Sequence, residues 1–367
     1  MASLAGKKKY NVLSTILKCI SFLVAFALVM ALAFTGAVMY LNSPVQPGSV
    51  PFAVSEQDGI KRAEDGAYYI DIRRGESSQS AGLRLERAGL IKNRFFWNLI
   101  CRLEKEHIKS GTYRIELPAS PIAIQRILVS GRQILYRVTI PEGVTLKKTA
   151  ALFEEAGICS AEDFLNAAND PQITGAYRIP GASMEGYLFP DTYLFPKEYP
   201  AEQAVKTMAD NFYRRIENID PSVLKMSPQE LNEKVILASI IEREYRIAEE
   251  APLMAGVFYN RLRINMALQS CATVEYIITE IQNKPHPAVI YNQDLEIRDP
   301  YNTYIRPGLP PGAISAPGTV ALQAALFPEK TDFFYFRLND ASSGRHYFSK
   351  TLDEHIDAGQ LFTKGRL

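Results

Sequence analysis

SPQELNEKVILASIIEREYRIAEEAPLMAGVFYNRLRINMALQSCATVEY, residues 227–276, holds the helix around which the rest of the chain is arranged. Ser227 with Pro228 and Glu230 is a capping box with proline at the first helical position, so a helix is predicted to start there. Leu231, Val235, Ala238 and Glu242 then fall at i, i+4, i+7 and i+11, which puts three apolar side chains and one carboxylate on a single face. Ile236, Leu237, Ile240 and Ile241 cover the other faces, so the helix is predicted to be buried nearly all round. A carboxylate in that setting must be paired, protonated or functional. Desolvation raises its pKa, as a general acid working near neutral pH requires. The alternative is an ion pair from Glu242 to an arginine such as Arg261 or Arg263. Glu244 lies about 200° further round the helix and should face elsewhere.

Downstream of this helix a second one is predicted over residues 254–262. Asn260, Gln269, Ser270 and Thr273 are polar groups set among apolar ones; they suit binding of sugar hydroxyls or N-acetyl groups, or simple capping. Residues 301–318, YNTYIRPGLPPGAISAPG, are rich in proline and glycine and read as an ordered loop carrying Asn302 and Tyr304. Upstream, residues 183–196, SMEGYLFPDTYLFP, hold Tyr187, Phe189, Tyr193 and Phe195 with two carboxylates, Glu185 and Asp191. Aromatic faces pack on sugar rings and carboxylates accept hydroxyl hydrogen bonds; a packed aromatic turn has the same composition. A hairpin is predicted over residues 333–348 and a short helix over 352–360.

The N-terminal half carries an internal repeat. Under a gapless shift of 68 residues, Ile72, Gly75, Glu86, Ala88 and Gly89 meet Ile140, Gly143, Glu154, Ala156 and Gly157. The phrases IRRGESSQSAGLRLERAGL and IPEGVTLKKTAALFEEAGI predict one strand–turn–helix unit used twice. After the first copy, residues 93–105 read as a helix, GTYRI at 111–115 as a returning strand and residues 121–130 as a further helix.

Residues 19–41 carry no charge and are mostly Ala, Leu, Val and Phe, with Lys7, Lys8, Lys9 and Lys18 before them. That stretch is long enough to cross a bilayer, and the lysines place the N-terminus in the cytoplasm. A cleaved signal peptide normally has a shorter apolar region, so a retained anchor is expected. The net charge of +1 over 367 residues gives no nucleic-acid footprint. The four cysteines, Cys19, Cys101, Cys159 and Cys271, show no paired spacing, and the four histidines are scattered. A disulfide framework and a metal site are therefore not expected.

The runs LASIIERE, VFYNRLRINMALQS and TVEY, with SMEGYLFPDTYLFP and YNTYIRPGLPPGAISAPG, resemble the endolytic murein transglycosylases, the YceG-like family. The resemblance covers most of the chain after the apolar segment and departs at Cys271-Ala272, where the family commonly has Asp-Pro. It implies that Glu242 is catalytic and that Glu185 is a motif glutamate at the site. Tyr187, Asn260, Gln269, Ser270, Thr273, Asn302 and Tyr304 become the expected substrate contacts, with no metal or cofactor. The implied substrate is peptidoglycan, cut at the β-1,4 bond between N-acetylmuramic acid and N-acetylglucosamine to leave 1,6-anhydro ends. Cell-wall synthases or divisome proteins are natural partners. Two alternatives are a hydrolase pairing Glu242 with Glu185 or Asp191, and a non-catalytic glycan-binding scaffold. The strand–helix–helix–strand order also resembles the LysM module. The expected fold is α+β: a cytoplasmic tail at 1–18, a transmembrane helix at 19–41, a linker at 42–65, a LysM-like module at 66–135 and a mixed α+β catalytic domain at 136–367.

Overall fold

In a computed structural model of the chain, residues 3–47, 50, 59–63, 65–104, 106–339 and 342–364 are described. Residues 48–49, 51–58 and 64 of the expected linker lie outside the described residues, and Ile60–Arg62 within it form a strand. The chain divides into two compact units, Met1–Ile134 and Leu135–Leu367.

The first unit opens with α1 (Ser3–Leu41). Within it Ser14–Leu41 is long and apolar enough to cross a membrane, and none of it is buried in the protein. The helix starts well before the apolar stretch expected from residue 19, because hydropathy locates a span and not a helix end, and lysine and leucine are good helix formers. The strands β1 (Ile60–Arg62), β2 (Tyr68–Ile72) and β3 (Gly111–Ile115) form an antiparallel sheet in the order β1-β2-β3. Helices α2 (Ser78–Arg87) and α3 (Arg94–Leu103) lie in sequence between β2 and β3, and α4 (Pro121–Ser130) follows. Ile70, Leu85, Trp97, Tyr113 and Leu128 are among the residues of its core.

The second unit contains β4 (Tyr136–Thr139), α5 (Leu146–Glu155), α6 (Ala161–Ala168), α7 (Pro171–Ala176), β5 (Thr192–Phe195), α8 (Ala201–Ile219), α9 (Pro228–Glu244) and α10 (Ala251–Arg263). It continues with α11 (Cys271–Tyr276), α12 (Thr319–Leu326), β6 (Tyr335–Leu338), β7 (His346–Ser349) and α13 (Leu352–Lys364). Its strands pair two by two, β4 with β5 and β6 with β7, both antiparallel. The architecture is mixed α+β.

The two copies of the repeat match in detail. β2 leads through Gly75 (φ 76°) into α2, and β4 leads through Gly143 (φ 74°) into α5. Ser77 and Thr145 cap the helices by accepting the amides of Ser80 and Lys148. Both helices stop at a left-handed glycine, Gly89 and Gly157, a conformation that costs a side-chain-bearing residue about 1 kcal/mol or more.

Helix α9 forms the centre of the second unit. Ser227 Oγ accepts the Glu230 amide at 3.2 Å, and the Glu230 carboxylate accepts the Ser227 amide at 2.8 Å. Leu231 and every residue from Val235 to Ile241 are buried. Burying each large apolar side chain contributes about 1.5–3 kcal/mol, so helical propensity is a minor part of its stability. Helix α12 packs against α9. Tyr187, Phe189, Tyr193 and Phe195 all sit in this core, so the aromatic turn is packed inward.

Candidate active site

Glu242 sits in the last turn of α9, half-buried. Its Oε2 accepts the backbone amide of Gly318 at 2.8 Å and its Oε1 accepts the Tyr245 hydroxyl at 3.3 Å. Neither expected arginine pairs with it. The Arg261 guanidinium donates to the carbonyls of Leu268 and Phe334, and Arg263 donates to Asn260 Oδ1. Burial pushes the Glu242 carboxyl up to about 7; the negative charge of Glu142 adds to this, while the Gly318 amide, the Tyr245 hydroxyl and Arg243 oppose it. At neutral pH the group is therefore divided between its acid and its base form.

Gly318 is the N-cap of α12, and the loop before it is stapled to α9. Ile314 N donates to Ser239 Oγ at 3.0 Å, and Ser315 Oγ donates to the Ser239 carbonyl at 2.9 Å. The turn of the second repeat closes the same region: Gly143 N donates to the Ala316 carbonyl, and Ala316 N to the Val144 carbonyl, both at 2.8 Å. A Cβ on Gly143 would lie 3.6 Å from Glu242 Cγ, and a Cβ on Gly318 would lie 1.8 Å from Glu142 Oε1. Glycine at 318 is what lets the Glu142 carboxylate sit where it does. Beside this cluster, Arg243 bonds Glu275 at 2.7 Å, and His286 lies 3.6 Å from the same carboxylate.

Glu185 lies against the start of α5. Both of its oxygens accept the Leu146 amide at 3.0 Å, which caps the start of α5, and Tyr276 donates to it at 3.4 Å. Burial pushes its carboxyl up to about 8, against the pull of the Leu146 amide. Asp191 is paired with Arg215 at 2.7 Å and accepts from Asn211 and its neighbour Thr192. Burial raises that carboxyl, but these donors leave it below the usual range.

The other expected contacts divide into three groups. Tyr187 is 2% exposed and donates to Asn232 Oδ1, with its ring in the core beside Phe212. Asn260 is buried, and its amide holds the carbonyls of Thr331 and Phe333, tying the approach to β6 onto α10. Ser270, Thr273 and Asn302 are buried; Ser270 N and Thr273 Oγ1 bond Thr303 Oγ1 and Gln269 N donates to the Thr303 carbonyl in one network, while Asn302 separately donates to the carbonyls of Leu295 and Ile297 and accepts the Tyr304 amide. Ser270 Oγ donates to Glu244, so that network is anchored on the residue two past Glu242. The Tyr304 hydroxyl meets Cys271 Sγ at 2.9 Å. Of these residues Gln269 is exposed and Tyr304 half-exposed.

The reading of the residues missed Glu142, Tyr245 and Gly318. The register of the repeat pointed to the turn at Gly143, but the residues that turn meets, Glu242 and Gly318, are distant in the chain.

A model of the YceG-like family matches residues 70–360. The endolytic murein transglycosylase of Streptococcus pneumoniae (strain D39) is 28% identical over 92% of this chain, which spans 63% of that protein's length. That of Bacillus subtilis is 28% identical over 90% of this chain and 91% of its own. A crystal structure of a yceG-like protein from Listeria monocytogenes is 30% identical, with a TM-score of 0.53, covering 79% of this chain and 98% of that one.

Proposed function

The chain belongs to the YceG-like family, and on that premise we propose that it is a membrane-anchored lytic transglycosylase that cuts peptidoglycan within its glycan strands. One observation carries the reading: in the last turn of buried α9 the half-buried Glu242 carboxyl is held by the Gly318 amide and the Tyr245 hydroxyl with its pKa pushed up to about 7, whereas Glu244 is bonded to buried Ser270.

Protonated Glu242 donates to the oxygen of the β-1,4 bond between N-acetylmuramic acid and N-acetylglucosamine. The C1–O bond breaks, the electron pair stays on the leaving oxygen, and an oxocarbenium-like centre forms at C1. The resulting carboxylate then takes the proton of the muramyl C6 hydroxyl as that oxygen bonds to C1, giving a 1,6-anhydro end and regenerating the acid. One group serves both steps when its pKa lies near the working pH. The Gly318 amide holds the carboxylate form after the first transfer. The exposed Glu142 adds negative charge beside the reacting carbon and keeps Glu242 protonated towards neutral pH. The names of the relatives support cleavage within strands.

The apolar span of α1 suits a retained single-pass anchor in the cytoplasmic membrane, with the N-terminus inside and the chain after α1 outside. The order β2-α2-α3-β3, with β2 and β3 antiparallel, supports reading residues 66–135 as a LysM-like glycan-binding module. Such an enzyme would work on nascent strands beside cell-wall synthases or divisome proteins. Mass spectrometry of purified peptidoglycan digested by the protein tests the reading: anhydro-muramyl ends are expected, and reducing ends would make it a hydrolase.

A further inference from the structure

Helix α3 carries two apolar faces, and one of them has no partner within the described residues. Phe96, Trp97 and Ile100 are buried, Trp97 in the core of the first unit. Phe95, Leu99 and Leu103 lie on another side, at i, i+4 and i+8, and are 69%, 47% and 70% exposed. This ridge sits about 120° around the helix from the buried face. Arg94 and Arg102 flank it, with the Arg94 guanidinium 5.1 Å from the centre of the Phe95 ring.

The start of α3 adjoins the end of the apolar span. Lys92 donates to the Tyr40 carbonyl at 3.2 Å and to Ser43 Oγ, and its ammonium stands 4.3 Å over the Tyr40 ring. Asn42 Oδ1 accepts the Ile122 amide, and Val45 bonds Ala119, so the unit is fastened to the chain leaving α1. Tyr40 and Lys92 are the residue types that mark a membrane–water boundary, with an amphipathic ring and a cation that reaches the headgroups. Phe95 comes three residues after Lys92. A groove of about 530 Å³ runs along the ridge, lined by Gln79, Leu83, Asn98, Leu99, Arg94 and Arg102 among others. Asn98 Oδ1 is a buried acceptor without a hydrogen-bond partner there.

We propose that α3 is a membrane-docking helix: Phe95, Leu99 and Leu103 enter the headgroup–acyl boundary of the bilayer that α1 crosses, and Lys92, Arg94 and Arg102 bind anionic lipid phosphates. The apolar ridge supplies the burial and the cations the attraction to acidic headgroups. This rests on α1 being a retained span.

The test uses the full-length protein in nanodiscs of phosphatidylglycerol and phosphatidylethanolamine, with its four cysteines replaced and a nitroxide placed at Leu99→Cys, Arg132→Cys or Met30→Cys in turn. Power saturation compares collisions with oxygen, which partitions into lipid, and with a water-soluble nickel chelate. The proposal expects positions 30 and 99 to favour oxygen and position 132 to favour the chelate. A lipid-exposed position 30 with a water-exposed position 99 overturns the docking helix and leaves the anchor standing; a water-exposed position 30 overturns both. If the cysteine-free chain does not fold, Leu99→Trp in the native chain reads the same position. Its added emission is expected to be quenched by lipids brominated on the acyl chain, and unquenched emission overturns the proposal.

Discussion

Glu142 and Glu242 meet at one residue: the Glu242 carboxylate accepts the Gly318 amide, and the Glu142 carboxylate fills the space that a side chain on Gly318 would occupy. The two groups lie 100 positions apart in the chain, yet the charge of Glu142 helps to hold the Glu242 carboxyl up at about 7.

Replacing Glu142 with glutamine removes that charge and keeps the shape. The folded pKa of Glu242 should fall, because a like charge no longer penalises its ionised form. Activity that depends on protonated Glu242 should then decline at a lower pH than in the wild type. A pH–rate profile of kcat/KM with the full-length enzyme measures this. Loss at pH 7.5 with recovery near pH 5.5 is expected; an unmoved profile would show that Glu142 does not bear on the reacting group.

Gly318→Ala puts a methyl group 1.8 Å from Glu142 Oε1, so Glu142 must turn away. The variant should lose activity to about the extent of Glu142→Gln, and the double variant should lose little more, since both act through the same carboxylate. Kinetics of the three variants with a common glycan substrate check this; fully additive losses would separate the two residues.

Glu185 should affect stability rather than chemistry. Its pKa is raised from about 4.5 unfolded to about 8 folded, so the folded state holds the proton more tightly. The stabilisation from that proton is complete below the unfolded value and is lost as pH rises through the folded one. Glu185→Gln, which can still accept the Leu146 amide, should melt higher than the wild type at pH 8.5 and close to it at pH 5. Differential scanning fluorimetry at the two pH values decides; a variant destabilised equally at both would contradict the buried proton.

Removing the α9 cap by Ser227→Ala should cost about 1 kcal/mol and lower Tm by about 2–4 °C. Turnover at 25 °C should be unchanged, because Ser227 lies at the far end of the helix from Glu242. A large loss of turnover would mean that helix placement depends on the cap.

What could be read from the chain was what local rules control. The α9 capping box, the burial of Val235 and Ala238 around it, and the strand–glycine–helix units at Gly75 and Gly143 all follow from spacing within a few residues. What escaped depended on long-range packing. Glu142 belongs to a surface turn until that turn meets Gly318. Tyr187 has the composition of a sugar platform, and only the fold around Phe212 shows that it is core. Asn260 reads as a polar group beside the site, whereas its amide holds the approach to β6.

The most direct measurement is anhydro-muramyl product release by Glu242→Gln, with its melting temperature and glycan binding recorded on the same preparation. Glutamine keeps the size and can still accept the Gly318 amide, but it cannot pass a proton. A loss of about 10²–10⁴-fold or more is expected, with binding and Tm near those of the wild type, while Glu244→Gln, which retains an acceptor for Ser270, keeps most activity. A Glu242→Gln enzyme that still releases anhydro products, beside a Glu244→Gln enzyme that does not, would contradict that expectation.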